Sequence, residues 1–410
     1  MSLVRPFKGL RPKKEFAEKI ASPPYDVLDS DEARVIVNEN PLSFLRVVKP
    51  EVDLAQEVNL YSNEVYQQGA DNLKDLINKG YMVQDAEPCF YFYRQIMGNH
   101  VQTGLVASVS AEDYNNDIIK KHEFTRKEKE EDRIRHIETQ SAQCGPVFLT
   151  YPDSAELDSI QKKVCAGTPE YKFTSDDGIE HIFWLVTEDT DKIGKLFADD
   201  VPFLYVADGH HRSASGAIIA GRKEKANPNH KGDEEYNFFL AVIFPKSQMK
   251  ILAYNRAVQD LKGRTPEEFI AEISEKFSVV KTGTKMPAKN QEFSMYLDKS
   301  WYTLEPLKGT FPSDDPVKSL DASILQENLL HPVLGVENPR TASNIKFVGG
   351  IRGTGELEKL VNSGKYSVAF SMFPTSVDQL IAVADSGNVM PPKSTWFEPK
   401  LRSGLVVHVI

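Results

Sequence analysis

Apolar residues recur along this chain in two periods that alternate almost throughout. Leu54, Val58, Tyr61, Val65, Leu73 and Leu76 fall at helical spacing and predict a helix over 54–77. Gly80 closes it, because glycine tolerates the positive φ of a helix C-terminus. Short runs rich in β-branched and aromatic residues predict strands at 89–94, 102–110, 146–151, 181–186, 203–207, 237–244 and 250–254. Thr265, Pro266 and Glu268 mark the start of a helix over 266–277, with a capping hydroxyl, a proline at the first helical position and a carboxylate one turn on. Beyond it, strands at 293–297, 345–348 and 368–373 are separated by helices at 320–330 and 355–361, and the Gly-, Lys- and Pro-rich stretch 282–290 reads as a surface connection. The pattern predicts an α/β or α+β fold of mixed sheets with flanking helices. A cut near residue 260 divides it into residues 1–260 and a C-terminal α/β domain, 261–410.

The 410 residues suffice for two or three domains, and 40% hydrophobic with 26% charged residues is ordinary for a globular chain. No window reaches the eighteen or so uninterrupted apolar residues of a membrane span, and Met1–Lys8 lacks the apolar core of a secretory signal. The expected location is the cytoplasm, with no membrane partner. A net charge of −10 disfavours a nucleic-acid partner, since that surface needs a dominant basic face. Cys89, Cys144 and Cys165 are odd in number and widely spaced, so they predict neither a disulfide framework nor a thiolate zinc cluster.

The candidate chemistry concentrates where the apolar run Phe203–Ala207 gives way to Asp208, Gly209, His210, His211, Arg212 and Ser213. A helix start leaves its first amides without intrahelical acceptors at the positive end of the helix dipole, which is an anion site. Asp208 stands where an N-cap is expected, Gly209 lets a ligand approach the backbone, and Arg212 offers a two-pronged fork to a phosphoryl group. A second cluster is His122, Glu123, Thr125 and Arg126, a base, a carboxylate and an anion fork ahead of a charged helix whose residues 127–131 read as solvated. A third is the C-terminal stretch 390–404, where Lys393, Lys400 and Arg402 add positive charge among prolines. Prolines and ionic groups recur at Arg5–Pro12 and at Ser22–Asp26. There is neither a Gly-rich P-loop of the Walker type nor a His-Glu-x-x-His zinc pattern.

Taken together, Arg5–Pro12, Pro23–Val27, Lys121–Thr125, Ala207–Arg212 and Pro391–Lys400 resemble the family named domain of unknown function 1015. The Asp-Gly-His-His-Arg element also resembles that of free L-serine kinases of the ParB/sulfiredoxin superfamily. The resemblance implies a ParB/sulfiredoxin-like core with large insertions, and a C-terminal domain whose last segment returns to the site. It implies phosphoryl transfer to the hydroxyl of free L-serine from pyrophosphate, ATP or ADP, with Mg²⁺ at Asp208. Gly209, His210, Arg212 and Ser213, with His122, Thr125, Arg126, Lys393 and Lys400, would hold phosphate, and Asp208 and His211 would serve catalysis. Asp26 and Glu123 both stand as candidates for the proton acceptor. Two alternatives stay open: a metal-dependent phosphohydrolase built on His122, Glu123, Asp208, His210 and His211, and a non-catalytic phosphate- or nucleotide-binding regulatory protein. The expected partners are small-molecule substrates, with a homodimer as the open option.

Overall fold

Phe90–Met97 and His100–Ser110 pair antiparallel across a turn at Gly98 and form the middle of a nine-stranded mixed sheet. On one side Glu180–Val186 and then Tyr171–Thr174 add antiparallel. On the other, Phe238–Pro245 is followed by Val147–Tyr151, Leu204–Asp208 and the short Ile119–Lys120, and Val4–Arg5 pairs onto His100–Ser110. Two of these contacts are parallel, Phe238–Pro245 with Val147–Tyr151 and Leu204–Asp208 with Ile119–Lys120. The computed structural model describes residues 2–410. It divides into a unit of Met1–Met249 with Pro399–Ile410, which holds this sheet, and a unit of Lys250–Glu398.

One face of the nine-stranded sheet carries an aliphatic core that includes Leu105, Ala107, Val109, Leu149 and Val206. Strand period 2 puts Tyr91 and Tyr93 on the opposite face with Phe183 and Tyr171, whose rings stack at centroid distances of 5.3 to 6.0 Å. Gly104 sits opposite Tyr93, where a Cβ would lie 2.6 Å from Val242 and 2.8 Å from Phe244. The helices Asn63–Asn78, Lys127–Gln140 and His210–Ala226 pack in series beside the sheet. A second core gathers Leu10, Ile20, Phe44, Leu45, Leu73 and Val407.

The other unit is built on an entirely antiparallel sheet. Its strand order is Phe277–Thr282, Ser300–Pro306, Phe293–Leu297, Val368–Met372, Tyr254–Val258 and Ile345–Gly349. Its core includes Phe269, Phe293, Leu325, Leu329 and Phe370. The fold is therefore α+β, with mixed sheets and flanking helices. No helix among the described residues is long and apolar enough to cross a membrane.

Several boundaries differ from the periodic pattern for local reasons. The helix expected from residue 54 begins at Asn63, because the Asn59 side chain accepts the Tyr61 amide at 3.0 Å and holds the preceding stretch in turns. The helix starting at Pro266 has the anticipated Thr265 and Glu268 capping box but stops at Ile273, and Phe277 opens a strand. The 320–330 helix is α over Asp321–Leu325 and then widens into a π-helical turn over Gln326–Leu330. The expected 250–254 strand splits, Ile251–Leu252 pairing with Trp396–Phe397 and Tyr254–Val258 entering the sheet.

Gly104→Ala should overfill the sheet against Val242 and Phe244 and lower unfolding stability by about 1–3 kcal/mol. Urea unfolding at neutral pH checks this, and an unchanged midpoint would contradict the close approach.

Candidate phosphate site at the Asp208 turn

The strand Leu204–Asp208 runs antiparallel to Val147–Tyr151, but its register shifts between Val206 and Asp208. This irregularity re-aims the last side chain of the strand. Gly209 follows in the left-handed region, with φ +96° and ψ +31°, and the helix His210–Ala226 begins directly after it. Gly209, not Asp208, is thus the N-cap residue, and no side chain caps the helix. The Asp208 carboxylate instead accepts the Gly209 amide at 2.9 Å, since the left-handed residue turns it away from the helix start. Ser213 is the first residue whose amide bonds within the helix, to the Gly209 carbonyl at 2.9 Å. The amides of His210, His211 and Arg212 precede it and face the end of the helix, where an anion is favoured.

Three charged side chains surround this turn. Lys400, from the C-terminal segment of the same unit, donates to Asp208 Oδ2 at 2.9 Å. One Arg212 terminal nitrogen stands 3.9 Å from Asp208 Oδ2 and 3.9 Å from Asp26 Oδ2, so both carboxylates share the same end of the guanidinium. Burial by itself would raise the Asp208 carboxyl, but Lys400 and then Arg212 outweigh it and hold the group well below the usual carboxylate range. Arg212 is further fixed by donating to the Pro146 carbonyl, while its Nε is buried without a partner. A Cβ on Gly209 would lie 3.0 Å from that Nε and press on the guanidinium, adding to the φ that favours glycine here.

Residues 4–323 match the model of the family described as a protein of unknown function, DUF1015. The chain belongs to this family. No curated protein matches it. Among solved structures, a free serine kinase in complex with AMP is 12% identical, covering 74% of this chain and 91% of that one, with a TM-score of 0.34. A conserved hypothetical protein from Pyrococcus furiosus is 12% identical over 74% and 95% of the two chains, TM-score 0.34. SbnI with a C-terminal truncation, from Staphylococcus aureus, is 14% identical over 72% and 82%, TM-score 0.36.

In this DUF1015 protein the second cluster meets the turn through His122 and the Arg126 amide. His122 and His210 are buried, their rings edge-to-face at 4.5 Å between centroids and their Nε2 atoms 3.4 Å apart. Burial lowers His122 to about 4 and His210 well below its ordinary value, so both are neutral near pH 7 and share one Nε2–H. His211 Nε2 accepts the Arg126 amide at 3.1 Å, and burial followed by the Arg126 charge lowers its pKa too. The remaining candidates take other positions. Ser213 turns its hydroxyl back to the Gly209 and His210 carbonyls and braces the turn. Thr125 donates to Glu130, at the start of the following helix. Glu123 is exposed, in the loop before that helix. Lys393 belongs to the unit of residues 250–398, where its ammonium lies 5.4 Å from the centre of the Tyr254 ring.

Tyr25, Asp132 and Arg133 also belong to this neighbourhood, and the sequence pattern had not singled them out. The Arg133 guanidinium lies 3.9 Å from the centre of the Tyr25 ring and is held by Asp132 at 2.6 Å. Burial raises the Tyr25 hydroxyl, opposed by the charge of Arg133. Both side chains, with Arg212, line a cavity of about 40 Å³ that also touches His136, Cys144 and Gly145. The charged helix Lys127–Gln140 is therefore solvated over its first turns but buries Asp132, Ile134 and His136 farther on.

Among the described residues no group of three or more His, Cys, Asp or Glu is placed to hold a metal ion. The five-residue metal cage of the hydrolase alternative is not formed, since His122 and His210 turn to each other. Mg²⁺ makes a smaller demand, keeping most of its waters and binding through one or two carboxylates plus the phosphates it accompanies. Asp208, with 29% of its side chain exposed, fits that demand as a single ligand.

Gly209→Ala should destabilise the protein by about 1–3 kcal/mol through backbone strain and displacement of Arg212. A thermal shift under about 1 °C would contradict the geometry. A pH dependence follows from His122. Between about 6.5 and 4 the unfolded chain binds a proton at this residue that the folded chain refuses, so stability falls on acidification across that window and is insensitive to this group above it. The loss amounts to about 1.4 kcal/mol per pH unit within the window. In urea unfolding followed from neutral to mildly acid pH, His122→Gln should show a correspondingly shallower slope; an unchanged slope would mean that His122 is protonated in the folded state.

Proposed function

We propose that this protein is a small-molecule kinase that transfers a phosphoryl group to the hydroxyl of free L-serine, with pyrophosphate as donor in preference to ATP or ADP. The observation that carries this reading is the helix start after Gly209, whose three leading amides open beside Asp208, Arg212 and Lys400. Phosphoryl transfer asks a protein mainly for fixed positive groups around the phosphate oxygens and a carboxylate to accept the hydroxyl proton. Both kinds of group stand within reach of one guanidinium here.

In this reading the donor phosphate rests on the amides of His210, His211 and Arg212, with Arg212 and Lys400 balancing its charge. Mg²⁺, held by Asp208, would supply further neutralisation of the phosphate oxygens. Asp26 is the second carboxylate at the Arg212 guanidinium, 3.9 Å from the same terminal nitrogen as Asp208, and it receives the proton of the serine hydroxyl. The serine oxygen forms a bond to phosphorus as the bond to the leaving phosphate breaks, giving O-phosphoserine and, from pyrophosphate, inorganic phosphate. The neutral His122–His210 pair adds no charge next to the turn and shapes its wall. Arg212 and Lys400 beside the helix-start amides favour a compact, highly charged donor.

Purified protein incubated with L-serine, Mg²⁺ and each donor in turn should form O-phosphoserine, fastest with pyrophosphate. Asp208→Asn should lower kcat by about a hundredfold or more, and Asp26→Asn by about 10²–10⁴ while donor binding persists. Absence of phosphoserine with every donor would overturn the kinase reading, and full activity in Asp26→Asn would remove that residue as the base.

A further inference from the structure

Lys400 reaches Asp208 from a segment with no regular secondary structure, so something other than a helix or sheet ladder must fix it. The residues around it are anchored by hydrogen bonds to the sheet and to the Ser22 segment. Gln95 and Gln102, both fully buried on the aromatic face of the large sheet, direct their amides at this segment: Gln95 donates to the Lys400 carbonyl at 2.8 Å, and Gln102 bonds Gln95 at 3.0 Å and approaches the Pro399 carbonyl at 3.5 Å. Ser403 exchanges two backbone bonds with Ser22, at 2.9 and 3.0 Å, which ties the same segment to the Pro23–Asp26 loop.

Between these anchors stands Arg402, two residues from Lys400 and with only 9% of its side chain exposed. Its guanidinium donates to Asp177 and to Ser175 Oγ, and its Nε points at His181 Nε2 at 3.4 Å. Arginine has only donors, so His181 must present a bare Nε2 and carry its proton on Nδ1, facing the Tyr93 hydroxyl at 2.7 Å. The relay Tyr93, His181, Ser175 and Asp177 is complete without any ligand, and what it grips is the chain beside Lys400.

We infer that Arg402 is a positioning residue for the phosphate site, a clasp that, with the Gln95–Gln102 pair, holds Lys400 on Asp208. In consequence the segment Pro399–Ser403 is a component of the site, and loss of the clasp acts on phosphate chemistry through Lys400. The rate arm of this inference rests on the proposed kinase function. The placement of Lys400 does not.

The test is a double-mutant cycle of Arg402→Gln and Lys400→Ala in the full chain, with Arg402→Lys as the conservative variant. It is read by pyrophosphate binding in calorimetry, by phosphoserine formation, and by the ammonium signal of Lys400 in heteronuclear NMR. Misplacement of a binding group by about 1 Å costs up to about a hundredfold. Arg402→Gln should therefore weaken pyrophosphate binding or lower kcat by at least about tenfold and abolish the ammonium signal, Arg402→Lys should recover part of the loss, and Arg402→Gln should have no further effect once Lys400 is alanine. Additive effects, or an unchanged Lys400 signal in Arg402→Gln, would overturn the clasp. Should Arg402→Gln fail to fold, Asp177→Asn loosens the same grip from the exposed turn and is judged by the same criteria. If the wild type neither binds pyrophosphate nor forms phosphoserine, the kinase reading falls, while the Lys400 signal still decides the clasp.

Discussion

The ion pair between Lys400 and Asp208 is the constraint on which the rest of this site depends. A carboxylate at the end of a core strand, beside the positive end of a helix, attracts cations from wherever the chain can supply them. Here one comes from Arg212, a single turn away, and the other from near the last residue. Their combined charge keeps Asp208 ionised despite its surroundings. The pairing also sets two cationic side chains beside helix-start amides that have no acceptor within the helix. A helix start with cations beside it is the kind of place where a phosphate is favoured.

Much of the structure serves to hold these groups still. The Arg212 guanidinium is fixed by the Pro146 carbonyl and flanked by Asp26 and Asp208, and behind it Arg133 stacks on Tyr25. The paired histidines stay neutral because burial makes a second positive charge expensive, so they fill the wall without repelling Arg212. This arrangement keeps the charged groups at the turn and the neutral ones buried behind it. Groups pre-set in this way need no reorganisation when a highly charged ligand arrives.

The helix start at Gly209 was legible in the sequence because its signals are local: an apolar strand, a glycine and a run of polar residues follow one another without a gap. The Thr265 capping box was legible for the same reason, and Lys400 through its place in a motif. Other features were hidden by long-range causes. Arg133 sits in a run of mixed charges that reads as solvated, and only packing between two other helices buries that part of its helix. Asp208 reads as a cap, yet the left-handed conformation of Gly209 swings it toward Lys400, a residue 192 positions away. Ser213 belongs to the motif, but its hydroxyl satisfies carbonyls of its own helix, a preference that residue type alone does not reveal.

The most direct measurement is a crystal structure of the protein grown with pyrophosphate, Mg²⁺ and L-serine. The account predicts a phosphorus group hydrogen-bonded to the amides of His210, His211 and Arg212, with Lys400 and Arg212 on its oxygens and the serine hydroxyl directed toward Asp26. A donor bound elsewhere in the protein, with the Gly209 turn carrying only water, would contradict it.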